Sequence, residues 1–299
     1  MPAPRAQAAA LLLLLASALP NAGAQASPDT VAHGIILREL ADSTLWPEGV
    51  DRDPRTGDFY VASVRHRTIV RVSKNGAERE LWPGDDARFG AMLGVRVDPR
   101  QPFVWATTSG IPQMATWVPA DSAIAALLRI DARTGRILRR WDLPLAPRGH
   151  VLGDLALGPR GDVYLTDSYH PVLYRLRTGA DTLEQITHPL FRSLQGMAPT
   201  DDDQFVYVAD YSRGLLRVRL SDGDVRRLGV VAGTDTRGCD GIVNAVLAPE
   251  PTIGTMMDDR FVYVANSQWE EYDDAGHLKA GARLTRPRLV AVPLPRTPH

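Results

Sequence analysis

Glu48, Gln195 and Asp240 each stand directly before a glycine that opens an apolar run, and Asp154 stands directly after another such glycine, Gly153. Carboxylate and amide oxygens are the donors that hard cations such as calcium take, so residues of this kind at matching places in a repeat suit one divalent cation. In that reading Glu48, Gln195 and Asp240 are the ligands. The chemistry would be hydrolysis of a lactone or ester, with the carbonyl polarised by the metal and a carboxylate taking a proton from water. Asp240 is the first choice for that base and Asp154 the second. The competing reading is that Glu48 and Asp240 only accept hydrogen bonds from backbone at a rim.

Other chemistries find less support. No Gly-x-Ser-x-Gly elbow is present, and Ser168 and Ser212 lie within two residues of an Asp, where turn duty is the commoner role. His66, His150, His170, His188 and His277 lack paired zinc-ligand spacing. His150 and His170 flank the third repeat's opening and read as hydrogen-bonding wall residues. Asp201-Asp202-Asp203 lacks the glycine and distal glutamate of an EF-hand loop and reads as a solvated turn. Cys239 is the single cysteine, so no internal disulfide can form.

The elements that must position the acidic residues repeat along the chain. Openings at Gly49, Gly94, Gly153, Gly196 and Gly254 are each followed by a turn and by a compact run: Phe59 to Ala62, Val104 to Thr107, Val163 to Asp167, Phe205 to Asp210 and Phe261 to Asn266. A strand-rich unit of roughly 40 to 50 residues that recurs this often predicts a β-propeller of four-stranded blades. All inner strands then run the same way, and the residues before them gather at one end of a channel. The hairpin signal Asn75-Gly76 separates the third and fourth strands of the first unit. An insertion between Thr108 and Ala123 is expected to project over one face, and Trp269 to Asp274 lies in a loop reaching toward Arg283 and Arg286. Gly34 to Leu40 precedes the first opening and reads as the outer strand of the last blade, with Arg288 to Leu294 as its third. That pairing closes the ring with the N-terminal strand. A further opening at Gly241 is followed by Gly254 too soon to complete a blade, so five repeats are complete.

Residues 1–24 read as a secretory signal, with Arg5 ahead of an apolar stretch of about 12 residues, too short to span a membrane, and cleavage after Ala24 or Ala26. The expected product is secreted or periplasmic, with one propeller domain over residues 31–295 and no membrane contact after the signal is removed. The formal net charge of −1 gives no electrostatic reason to expect nucleic acid. A small-molecule substrate or ligand is the expected partner.

Trp46-Pro47-Glu48-Gly49 with its following Asp-Pro turn, Leu155 to Ser168, Phe205 to Asp210 and Asp240-Gly241 resemble the senescence marker protein, gluconolactonase and luciferin-regenerating-enzyme family. The resemblance spans nearly the whole mature chain. It implies a six-bladed propeller, one divalent cation, often calcium, at the top of the channel, and lactone hydrolysis. The family's ligand Glu falls on Glu48, its Asp on Asp240, its Asn on Gln195, and its substrate-holding Asn-Asp pair on Gly153-Asp154. Two positions are kept and two are changed. The longer Gln195 side chain moves its carbonyl by about 1.5 Å, a displacement that matters at metal sites. The changed positions keep a second class open, a non-catalytic propeller that binds a ligand or protein on its top face.

Overall fold

The computed structural model describes residues 34–82, 88–228 and 252–293. The signal at residues 1–24 and the opening at Cys239-Asp240-Gly241 lie outside the described residues. Among the described residues no helix is long and apolar enough to cross a membrane.

The described residues form an all-β propeller with five four-stranded antiparallel sheets, of which four blades follow chain order from the inside outward. The first blade is β2 (Pro47–Arg52), β3 (Phe59–Ser63), β4 (Ile69–Val72) and β5 (Glu78–Glu80). The second is β6 (Ala91–Val97), β7 (Phe103–Ser109), β8 (Ala125–Asp131) and β9 (Ile137–Asp142). The third is β10 (Asp154–Leu157), β11 (Val163–Asp167), β12 (Val172–Leu176) and β13 (Glu184–Thr187). The fourth is β14 (Leu194–Pro199), β15 (Phe205–Asp210), β16 (Gly214–Arg219) and β17 (Val225–Arg227). The last runs β18 (Gly254–Met257), β19 (Arg260–Ala265), β20 (Arg288–Pro293), and its outer strand is β1 (Ile35–Glu39), which pairs antiparallel with β20.

The second strands β3 and β11 are buried at every residue. Each is covered on both faces by neighbouring blades, and so reads as a continuous apolar run rather than an alternating one. Apolar seams join the last blade to the first, the first to the second, the second to the third and the third to the fourth. Among the described residues no apolar cluster joins the fourth blade to the last. Residues 229–251 connect those two blades in sequence and lie outside the described residues.

The acids of the repeat phrase tie the strands together. Asp58 accepts from the Lys74 N–H and pairs with Arg71, and Asp162 does the same with the Thr178 N–H and Arg175. At the far end of the second strand, Asp210 accepts backbone N–H groups of Arg192, Ser193, Ser212 and Arg213. One carboxylate thus satisfies donors from the incoming loop and from the following turn, which a loop cannot satisfy internally.

Candidate active site

Inner strands carry Glu48, Asp154 and Gln195, and the ladders are interrupted at Glu48 and Gln195 but not at Asp154. Register shifts fall between Pro47 and Val50, between Met92 and Val95, and between Leu194 and Met197. Glu48, Leu93 and Gln195 therefore occupy equivalent bulges in the first, second and fourth blades. A bulge re-aims a side chain out of the alternation of the strand, and such features concentrate next to active sites.

Glu48 lies beneath an aromatic cap. Its Oε2 accepts a hydrogen bond from Trp269 Nε1 at 2.7 Å. Trp46, two residues before it, is held in the left-handed region at φ 45° although it is bulky and 1% exposed. Stacking on Tyr272, with centroids 4.0 Å apart, and an edge contact with Trp269 at 4.9 Å hold it there. Asn266 and Gln268, in the loop that supplies Trp269, are also left-handed. Strained conformations of this kind persist where packing over-determines them, and they cluster at ligand sites.

Two loops build the cap. The insertion after β7 does lie over this end of the molecule: Gln113 Nε2 donates to Asp274 O, and Arg67 pairs with Asp121 at 2.9 Å. The loop after β19 is tied to itself, with Glu271 accepting from the Arg283 N–H and Lys279 donating to Glu270 O.

Gln195 has a defined amide orientation. Ser168 Oγ donates its one hydrogen to Leu194 O at 2.9 Å, so toward Gln195 it can only accept. The Gln195 Nε2 group accordingly donates to Ser168 Oγ and Ser193 Oγ, which leaves Oε1 as the atom facing away from both.

Asp154 is 2% exposed, lies 3.5 Å from Arg96 Nη2, and has its Oδ2 beside Gly196. The structure thus brings Asp154 alongside the opening that holds Gln195. Asp240 lies outside the described residues. Among the described residues no three His, Cys, Asp or Glu side chains converge as a cation site. Glu48 offers a carboxylate and Gln195 an amide oxygen, each a donor of the hard character that calcium takes.

Sequence reasoning missed a belt of charge across the inner strands. Asp51 accepts from Val97 N–H at 2.7 Å and from Thr255 Oγ1, linking three blades, while Arg96 reaches Asp154 in another. Burial pushes the Asp51 carboxyl above its ordinary range, outweighing the nearby Arg96 charge and the hydrogen bonds it accepts. A signal was present: Asp51 and Arg96 each fall two residues after an opening glycine, and Arg96 does so in an otherwise apolar strand.

His150 Nδ1 contacts Asp167 at 2.5 Å and Nε2 contacts Pro144 O at 2.8 Å, and its ring lies 4.8 Å from that of His170. Both contact atoms are oxygens able to accept, a setting that favours the imidazolium, in which both ring nitrogens donate. The Asp167 hydrogen bond raises its pKa against the opposing effect of burial, with Pro144 O adding to the rise. A raised histidine stabilises the fold fully below the unfolded value of about 6.5, and that contribution is lost as pH rises through the folded value. Urea unfolding from about pH 6 to pH 9 should therefore show falling stability, with the slope reduced in His150→Gln.

No protein-family model matches the sequence, and no curated protein matches it. Among solved structures, a catalytically inactive virginiamycin B lyase from Staphylococcus aureus with quinupristin is similar over 77% of this chain and 70% of that chain, at 13% identity and a TM-score of 0.50. A streptogramin B lyase is similar over 77% of this chain and 80% of its own at 12% identity and a TM-score of 0.48. A nidogen/laminin complex is similar over 75% and 73% at 14% identity and a TM-score of 0.49. At such identities the likeness to the first of these is one of fold, a β-propeller, and no sequence match singles out the gluconolactonase family.

Proposed function

We propose that the chain is a hydrolase of small lactones or esters acting at the channel mouth, with Glu48, Gln195 and Asp240 as oxygen donors to one divalent cation, calcium. The observation that carries this reading is the placement of Glu48 and Gln195 in equivalent bulges, each with its orientation set by a fixed partner. A cation bound by these oxygens supplies the positive charge that favours an oxyanion and an ionised water. Trp269 holds the Glu48 carboxylate, and Ser168 and Ser193 hold the Gln195 amide so that its oxygen is presented. Asp154 is engaged by Arg96, which leaves Asp240 as the preferred base and Asp154 as a neighbouring carboxylate at the fourth opening. Export to the periplasm or the medium belongs to the same proposal and rests on residues 1–24.

A panel of small lactones and aryl esters assayed with calcium present tests it. Glu48→Gln should lower kcat/KM by about a hundredfold or more while the variant stays folded. The aromatic cap favours a second reading, a propeller that binds a flat ligand without turnover. Saturable binding of panel members with no hydrolysis by the wild type would select that reading.

A further inference from the structure

At the end of the molecule opposite the Glu48 mouth, the second and third blades diverge and leave a cleft of about 280 Å³. One wall is the face of the second blade formed by Phe103, Trp105, Arg129, Arg139 and Trp141, and the other includes Val163 and Leu176. The two indoles stack with centroids 5.6 Å apart, and Arg139 lies over Trp141 at 4.6 Å. Arg129 lies over Phe103 at 5.1 Å and over Trp105 at 5.7 Å.

Every unmet polar group on this wall is a donor. Trp105 and Trp141 are 6% and 7% exposed, and their Nε1 atoms are buried with no partner, as is Arg129 Nε. Five arginines line the cleft. Four have a carboxylate: Arg100 has Asp98, Arg139 has Asp181, Arg160 has Asp203 and Arg177 has Glu184. Arg129 has no ion pair or side-chain hydrogen bond among the described residues. It also stands directly opposite Arg139 across β8 and β9. Like charges in directly opposed positions destabilise a sheet, and buried donors without acceptors cost free energy of their own. An anion on the Arg129 guanidinium offsets the first penalty and supplies an acceptor to that side chain.

We propose that this cleft binds a small carboxylate carrying a flat apolar body, the carboxylate on the Arg129 guanidinium and the body against the Trp105 and Trp141 stack. A planar guanidinium matches a carboxylate bidentately, and the apolar wall favours an aromatic acid over a bare inorganic anion. An acceptor that reaches the indole N–H groups must widen the wedge between the blades. The proposal does not rest on the hydrolase reading, because none of its residues lies at the mouth.

Isothermal titration of the mature protein with 2-naphthoate, with inorganic phosphate and with uncharged 2-naphthalenemethanol tests it. Naphthoate should bind saturably and more tightly than either control. Arg129→Met, which keeps the apolar stem, should weaken it by about tenfold or more, and Glu48→Gln should leave it unchanged. In amide-detected NMR of the wild type, the indole N–H resonances of Trp105 and Trp141, assigned through Trp→Phe variants, should shift with naphthoate. This keeps the test open if Arg129→Met fails to fold. The proposal is overturned if naphthoate gives no saturable binding, if phosphate binds as tightly, if Glu48→Gln abolishes binding, or if the shifted indoles are those of other tryptophans.

Discussion

Gly49→Ala is expected to destabilise the propeller by about 3 kcal/mol or more, whereas Gly153→Ala and Gly196→Ala should each change stability by about 1 kcal/mol or less. The five openings look alike in sequence, yet they differ in what a side chain would meet. A Cβ on Gly49 would sit 2.4 Å from Leu93 O, in the backbone of the next inner strand, and one on Gly94 would sit 2.8 Å from Leu155 N. Backbone cannot move aside without opening the seam between blades. On Gly153 the nearest atom is Ser168 Oγ at 3.4 Å, and on Gly196 it is Asp154 Oδ2 at 3.7 Å, both ordinary contacts. Urea unfolding of the alanine variants gives the comparison directly. Equal losses at Gly49 and Gly196 would mean that the inner strands do not converge as described.

The second large effect is expected at Arg96. Arg96→Met removes the cation that lies 3.5 Å from Asp154 and whose charge also acts on Asp51. Both carboxylates are buried, at 2% and 8% exposure, so the variant takes the Arg96 charge away from two desolvated acidic groups in the channel wall. Breaking a buried pair on one side costs about 3 to 5 kcal/mol, because the remaining charge stays desolvated. The loss should depend on pH in a defined sense. Asp51 already has its folded pKa raised, so the neutral acid favours the fold and the charged form opposes it as pH rises. Without Arg96 that opposition grows, and the deficit of the variant should be larger near pH 8 than near pH 4. Adding Asp154→Asn should return part of the loss, since an amide carries no charge to keep desolvated. A deficit that is flat with pH, and not relieved by Asp154→Asn, would remove the charge belt from the account.

Much of this architecture is legible in the residues. The apolar phrases after each opening glycine mark the second strands because those strands are covered on both faces, and Asn75-Gly76 marks a hairpin, with Gly76 at φ 90°. Gly34 to Leu40 is recognisable as an outer strand from its position ahead of the first opening, and it does pair with β20. The insertion after Thr108 is recognisable as a loop over one face from its length and its prolines.

What was not legible depends on contacts between distant repeats. The Asp51, Arg96 and Asp154 belt draws each member from a different blade, so the matching places of Asp51 and Arg96 after their opening glycines do not show which residues they meet. The left-handed turn at Trp46 depends on Tyr272 and Trp269, which arrive from the loop after β19. The bulges that carry Glu48 and Gln195 are features of strand register, and register emerges only when two strands are laid side by side. The alternation of apolar residues names a face, whereas a bulge changes which residue occupies it.

The central claim is that Glu48 and Gln195 belong to one oxygen-donor site at the channel mouth, completed by Asp240. Its most direct test is thermal unfolding of the mature protein with and without millimolar calcium, zinc and manganese, in the wild type and in Glu48→Ala and Gln195→Leu. A ligand bound only by the folded state stabilises it by about 2.7 kcal/mol at a hundred times its dissociation constant. The account predicts that calcium raises the Tm of the wild type and that both variants lose the rise while remaining folded. No rise with any of the three metals, or an undiminished rise in the variants, would contradict it.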